Sequence, residues 1–484
     1  MAPQRPLLPR STPAGMGMSP QAITTLLDKL EEQGVEGHSL MVVRRGHVIA
    51  EGWWAPYTAD RPHLLYSLTK SFTSIAVGLA IADGLLSLDD RVVDVLPDHV
   101  PTAIPEQGRR LTVHHLLTMT VGHPTDSLTE AWELEPNDLT KGFLRVPFST
   151  TEGTKHVYDN ATTYVLARMV ERVTSQGLPE FLDERLFNPI GIDHAEWDRV
   201  ASGAAFGFHG LHLTTEAIAA FGELLLRKGR WGDRQLIPGE WVERATSRHI
   251  ETLPLPNWKP NPDFQNGYGY QFWISRHGYH GHGSFGQSCL VVPSHDLVIA
   301  FTGAVDPTDA LPALFWDHLL PHLDAAADAP TAAHQHTLTN QLQHLSLKPV
   351  PGTATPTHQP QPSPTKATID ASPEDSALPH ETPVLLAPTD SGWLLHLGPT
   401  LTLKVGHNEW QESSPLGRPV VAAGAWQANT FTADLYVITT PHRVRLTIDA
   451  TTGTATARWN VVPLTTPNLP LHLQAPLMTR PDVA

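Results

Sequence analysis

Tyr66-Ser67-Leu68-Thr69-Lys70-Ser71-Phe72-Thr73-Ser74 reads as the point where an extended segment turns into a helix. Ser67 and Lys70 are three residues apart, so on a helix they share one face. A serine hydroxyl is a poor nucleophile until a nearby base takes its proton. A lysine can be that base where burial or nearby positive charge holds its amine neutral. The helix N-terminus would add free N–H groups and a dipole that favour developing negative charge. The plainer reading makes Ser67 a helix N-cap and Lys70 a solvated charge. Context separates this pair from its double, Ser363-Pro364-Thr365-Lys366. That copy lies in a proline run whose rings deny a helix its donors. After Ser67, by contrast, Phe72, Ile75, Ala76, Leu79 and Ala80 recur at helical spacing, and Gly84 suits the stop.

Working outward, residues 19–33 predict an amphipathic helix capped by Ser19, with Ile23, Leu26, Leu27 and Leu30 in one stripe. Residues 39–54 predict two strands around the turn Arg45-Gly46-His47. Helices follow at 112–119, 161–175, 178–186 and 214–227, the last stopped by Gly229. Strands return at 268–275, 288–292 and 297–302, before a helix over 308–320. Strands at both ends and helices between imply an α+β domain with one antiparallel sheet whose strands come from both ends of the domain. The expected division is a tail over 1–17, this domain over 18–323, a Pro/Thr/His-rich extended linker over 324–382, a small antiparallel all-β domain over 383–476, sandwich or barrel, and a tail over 477–484.

Two further clusters carry chemistry. In Tyr158-Asp159-Asn160, a phenol facing Ser67 could accept its proton if an ammonium held the phenolate down, and the Asn160 amide could bond both Lys70 and a substrate carbonyl. Otherwise Tyr158 is packed and Asn160 caps the next helix. In Tyr279-His280-Gly281-His282-Gly283-Ser284, the glycines would let an edge strand approach a ligand. A backbone N–H there could join that of Ser67 in an oxyanion hole. His277, His280 and His282 lack the carboxylate or His/Cys spacing of a metal site, so no metal is assigned.

The 484 residues carry 33 Lys plus Arg against 49 Asp plus Glu, a net charge of −16, which argues against a nucleic-acid partner. Cys289 is the one cysteine, in a buried-strand context, so no intrachain disulfide can form. Residues 1–18 have no apolar signal core, and no apolar run is long enough to span a bilayer; the expectation is a cytoplasmic protein with no membrane partner.

In order, these clusters resemble the serine β-lactamase and penicillin-binding-protein superfamily, and within it the class C-like esterases, D-amino-acid peptidases and amide hydrolases. The resemblance covers about residues 18–322 and implies an antiparallel sheet flanked by helices beside an all-helical lobe, with the site between them. It is carried by the Ser67–Lys70 helix start, by Asp83-Gly84-Leu85-Leu86-Ser87-Leu88-Asp89-Asp90, by the stretch from Leu111 to His123, by Tyr158-Asp159-Asn160, and by the strand pair from Leu290 to Gly303. It implies that Ser67 is the nucleophile and becomes acylated. Lys70 and Tyr158 would share base and acid work, Asn160 would orient Lys70 and substrate, and the N–H groups of Ser67 and Ser284 would hold the oxyanion. It implies no cofactor. The third motif departs from the family's Lys-Thr-Gly pattern. Its likeliest register is Gly281-His282-Gly283, and a shift would put His280 or His282 in the cationic place. Loss of that lysine weakens the case for carboxylate-bearing substrates, so a small ester or amide is expected. The alternatives are a β-lactamase or D-Ala-D-Ala carboxypeptidase, and a catalytically silent binding protein on the same fold. Trp132, Trp258 and Phe264 are candidate acyl-pocket walls, with plain packing as the alternative for each. Oligomeric state is left open.

Overall fold

Two residues with positive φ start the sheet. Arg45 (φ 51°) and Gly46 (φ 75°) form the left-handed pair that a two-residue hairpin needs. They join β1 (Glu36–Arg44) to β2 (His47–Trp53). This computed structural model describes residues 6–200, 202–252, 261–307, 310–324, 331–357, 363–370, 374–474 and 478–479. It divides into two units. One holds the residues through Gly52 and Leu64–Gln343, and the other holds Trp53–His63 and His344–Thr479.

In the first unit, α1 (Pro20–Glu32) buries Ile23, Leu26, Leu27 and Leu30. α2 (Thr69–Ala82) ends at Asp83 and Gly84 (φ 71°). α3 (Val113–Leu117), α4 (Asn160–Thr174) and α5 (Thr215–Leu226) follow. Then come β3 (Trp273–Ser275), β4 (Gly278–Gly283), β5 (Gln287–Val292), β6 (Leu297–Ala304) and α6 (Leu311–Leu319). Among the described residues the strands form a six-stranded sheet in the order β2-β1-β6-β5-β4-β3. β1 and β6, from opposite ends of the unit, pair antiparallel with Leu40 opposite Phe301. α5 packs on β1, β5 and β6, while α2 packs against α4 and β4. Two expected elements are shorter. Gln271 (φ 65°) breaks the strand foreseen over 268–275, and the helix foreseen over 178–186 ends at Leu182, passing into a wider π turn through Phe187.

α2 buries more than the apolar face that its spacing showed. Every residue from Thr69 to Ala80 is buried, as for a helix at the centre of a core. Three of its hydroxyls pair with other segments: Thr73 Oγ1 donates to the Gly207 carbonyl at 2.7 Å, Ser71 Oγ donates to that of Gln271 at 3.0 Å, and Thr69 Oγ1 accepts from Leu211 N at 3.3 Å. These bonds bring the 207–211 segment alongside the start of α2.

The tail and linker need correction. Residues 9–11 are tied to β2 by Val48 N to Pro9 O at 2.8 Å and Ser11 N to Val48 O at 2.9 Å. Arg10 bridges Glu51 and Glu216. The stretch 324–382, expected as an extended linker, contains α7 (Ala332–Gln343) and β7 (Thr365–Ile369). α7 packs on α1 through buried Leu338, and Gln341 donates to Asp28 at 2.7 Å. One apolar anchor and a few cross-helix bonds suffice to order a polar helix on an existing surface, which composition alone does not register.

The second unit adds β8 (Pro383–Thr389), β9 (Gly392–Leu397), β10 (Leu401–Gly406), β11 (Gln411–Ser413), β12 (Val420–Gln427), β13 (Thr430–Val437), β14 (Arg443–Asp449) and β15 (Thr454–Trp459). The order is β10-β9-β8-β7-β15-β14-β13-β12-β11, and β10 also pairs with β12 through Gly406 and Ala423. That pairing joins the two ends of the sheet in a barrel-like closure. Trp393, Trp426 and Trp459 lie in its core. The unit also takes in residues 53–63: the Tyr57 hydroxyl donates to the Thr440 carbonyl at 3.0 Å, and Arg61 pairs with Glu412 at 2.6 Å. Lys366, the lysine of the second Ser-x-x-Lys, lies exposed on β7.

Candidate active site

Ser67 does not cap a helix. It sits in a 3-10 turn, Tyr66–Leu68, and α2 has no side-chain cap. Tyr66 just before it has φ 48°, a left-handed conformation costly for a non-glycine residue. With no capping duty, the hydroxyl is free to face Lys70, whose Nζ lies 2.8 Å from Ser67 Oγ. Lys70 is 1% exposed. Its amine also donates to Asn160 Oδ1 at 2.6 Å and to the Phe208 carbonyl at 3.1 Å. Burial pulls its pKa down from 10.5 to about 7, against the opposing pull of Asp126 and Asp159. A neutral amine has two N–H groups and one lone pair. The two acceptors occupy the N–H groups, which leaves the lone pair for the Ser67 proton.

The Tyr158 phenol is hydrogen-bonded to Ser67, and Lys70 Nζ lies 4.8 Å from its ring centroid. Burial raises the phenol far above its ordinary value, the Ser67 bond opposes, and Asp126 adds a smaller upward push. Tyr158 is therefore a protonated phenol. The phenolate considered above needed an adjacent ammonium, and a neutral Lys70 does not supply one. The ring stacks on Trp273 at 5.6 Å and 11°.

Asn160 is the first residue of α4, and Asp159 is the cap, accepting from Ala161 N at 3.0 Å. Asp159 is fully buried and also holds His123 Nδ1 at 3.0 Å and Ser127 Oγ at 2.8 Å. This ties the 123–127 turn to the start of α4 and sets Asp126 beside Asn160. Asp126 and the Phe208 carbonyl went unread in the sequence. Neither stands in a spacing relation to Ser67, and both arrive only when distant segments pack.

β4 brings the third cluster up to the nucleophile turn. A Cβ on Gly283 would lie 2.0 Å from the Leu65 carbonyl oxygen, and one on Gly281 would lie 2.3 Å from Leu68 Cδ1. Only glycine permits that approach, which seats Ser284 beside the turn carrying Ser67. Gly283→Ala is expected to lower stability by about 1–3 kcal/mol and to slow reaction at Ser67, because the obstacle is backbone and cannot swing aside. Thermal melts and labelling rates check this; wild-type values in both would refute the close packing.

His280 and His282 point to the other face of β4 from Gly281, where Phe264 meets them at 5.1 and 5.0 Å. Burial lowers their pKa values to about 4 and about 3, with Asp263 opposing for His280 and His280 itself adding for His282. Neither supplies the cation considered for a shifted register. Phe264 is buried with Met119, Tyr268 and Trp273, Trp132 is half-buried, and Trp258 lies outside the described residues. Burial raises the Cys289 thiol to about 12, which leaves it inert.

Residues 22–318 match the profile of the family described as Beta-lactamase. The chain is 25% identical over 309 residues to 6-aminohexanoate-dimer hydrolase of Paenarthrobacter ureafaciens, covering 60% of this chain and 78% of that one. Over 185 residues it is 29% identical to lovastatin esterase of Penicillium rubens, covering 34% of this chain and 46% of the esterase. In three dimensions it is similar to the octameric penicillin-binding protein homologue from Pyrococcus abyssi, with a TM-score of 0.50, 16% identity, and coverage of 88% of this chain and 96% of that one. At that identity the likeness is one of fold. Among the described residues no helix is long and apolar enough to cross a membrane.

Proposed function

Because this chain belongs to the beta-lactamase family, we propose that it is a serine hydrolase that cleaves a small ester or amide through an acyl-enzyme on Ser67. The observation that carries this reading is the buried Lys70 amine, 2.8 Å from Ser67 Oγ, with both of its N–H groups already bound elsewhere. In acylation Ser67 Oγ attacks the substrate carbonyl as its proton passes to Lys70 Nζ. The oxyanion is held by the backbone N–H groups of Ser67 and Ser284. Collapse breaks the bond to the alcohol or amine, which leaves with a proton relayed through the Tyr158 hydroxyl. Water, deprotonated by the same amine, then releases the acid and frees Ser67.

Substrate choice follows from β4. Gly281 stands where the resemblance expects a lysine, and His280 and His282 are buried and neutral. The strand offers no cation, which favours a substrate without a carboxylate beside the scissile bond. The relatives named 6-aminohexanoate-dimer hydrolase and lovastatin esterase support a hydrolase of this general kind.

The test is a fluorophosphonate probe, with the label located by peptide mapping, beside a panel of neutral esters and amides. Labelling is expected at Ser67, at a rate that rises with pH to a plateau above about 7 as the Lys70 amine loses its proton. Folded protein that takes no label, or a label elsewhere, would overturn the proposal.

A further inference from the structure

We propose that Asp126 is a positioning residue for this site: its carboxylate fixes the Asn160 amide so that Oδ1 faces Lys70, and so keeps the Lys70 lone pair on Ser67. The inference rests on the acyl-enzyme reading above. Asn160 Nδ2 donates to Asp126 Oδ2 at 2.5 Å, and Asn160 N donates to Asp126 Oδ1 at 3.0 Å. Leu128 N donates to the same Oδ1 at 3.2 Å. One side of Asp126 is open to solvent; the protein behind it and the Asp159 charge push its carboxyl up from the ordinary value, and the N–H groups of Leu128 and Asn160 pull it back.

The chemistry of the amide makes this grip decisive. Its two ends have nearly the same shape but opposite polarity. Turned over, Asn160 would present Nδ2 to Lys70. The lone pair would then be spent on Asn160, and an N–H would point at Ser67. An ionised carboxylate only accepts, so it takes the Nδ2 end and leaves Oδ1 for Lys70. The second Asp126 oxygen holds the backbone of Asn160, fixing the place from which that side chain turns. Asp159, buried in the core, cannot do this work, since its oxygens are already held by His123, Ser127 and Ala161.

Charge supplies a second readout. Asp126 and Asp159 are the carboxylates whose field acts on Lys70, and both favour its protonated form; the Ser67 hydroxyl and the Tyr158 phenol beside it carry no charge. Removing the Asp126 charge therefore makes Lys70 easier to deprotonate, and the acid limb of the rate profile should move to lower pH. A loss of rate together with a limb displaced in that direction is not what general unfolding produces.

The experiment measures labelling of Ser67 by the fluorophosphonate, and kcat and KM on a neutral ester, for wild type, Asp126→Asn, Asn160→Ala and the double variant. Asp126→Asn is expected to slow labelling and kcat by roughly tenfold or more, with KM little changed, a wild-type melting temperature and the acid limb at lower pH. In the Asn160→Ala background the same substitution should add nothing, because Asp126 acts through Asn160. Asp126→Glu, which keeps the charge, should recover part of the rate and return the limb towards wild type, and it serves if the Asn variant folds poorly. Independent, multiplying effects of the two substitutions would overturn the inference. So would unchanged labelling, or a change confined to KM for cationic substrates, which would make Asp126 a substrate contact. Wild-type protein that takes no label would instead remove the acyl-enzyme reading itself, and this inference with it.

Discussion

Lys70→Met is expected to lower the rate of acyl transfer by roughly 10^3-fold, the scale of a lost general base, while leaving the fold intact. Methionine is unbranched and fills much of the channel that the lysine stem occupies. What disappears is the one lone pair directed at Ser67 Oγ. The small remaining rate should also lose its acid limb near pH 7, since the group that titrates there is gone. Stability supplies a control with a definite sign. The amine ionises at 10.5 in the unfolded chain and at about 7 in the fold. Between those values the unfolded chain binds more protons, so the wild-type fold gains stability as pH rises from 7 to 10.5. Methionine has no such term. The difference in melting temperature between variant and wild type should therefore shift in the variant's favour as pH falls through that window. A flat difference would mean that the amine is not held neutral, and a variant of near-native activity would mean that it is not the base.

Ser67→Ala is expected to abolish fluorophosphonate labelling and to reduce turnover by roughly 10^4-fold or more. Its effect on stability should be under about 0.5 kcal/mol. These two results together separate the nucleophile from the helix cap. Loss of a serine cap costs about 1 kcal/mol, but Ser67 makes no capping bond and α2 begins without one. The hydroxyl instead belongs to the Lys70 and Tyr158 network. A variant that melts markedly lower yet still takes the label would reverse both assignments.

Much of the architecture was legible because short-range physics repeats itself along the chain. The apolar stripe of α1 and the hairpin at Arg45-Gly46 follow from neighbours within a few residues of each other. So does the different fate of the two Ser-x-x-Lys stretches. The proline context of Ser363 denied a helix there, and the structure has a strand at Thr365–Ile369. The errors came where long-range contacts outweigh composition. Residues 332–343 look like linker by their polarity, yet α1 supplies a surface on which they form a helix. Residues 53–63 give no sign that they belong with strands almost four hundred residues later. Asn160 and Asp159 are both good caps by type, and only the buried partners of Asp159 decide between them.

The pairing of Ser67 with Lys70 was set by the sequence alone, because three-residue spacing at the start of a helix puts two side chains on one face whatever surrounds them. The lysine's character was not. It becomes a base near neutral pH only because the surrounding chain buries it, and its lone pair is aimed only because Asn160 and the Phe208 carbonyl arrive from segments about ninety and one hundred and forty residues away. Likewise the glycines of β4 could be read as permission for a close approach. What they approach, and that His280 and His282 face the other way, depends on how a strand's alternating sides meet a particular helix. Spacing determines which groups can be neighbours, and packing determines the solvation and hydrogen bonding that decide their protonation and what each can do.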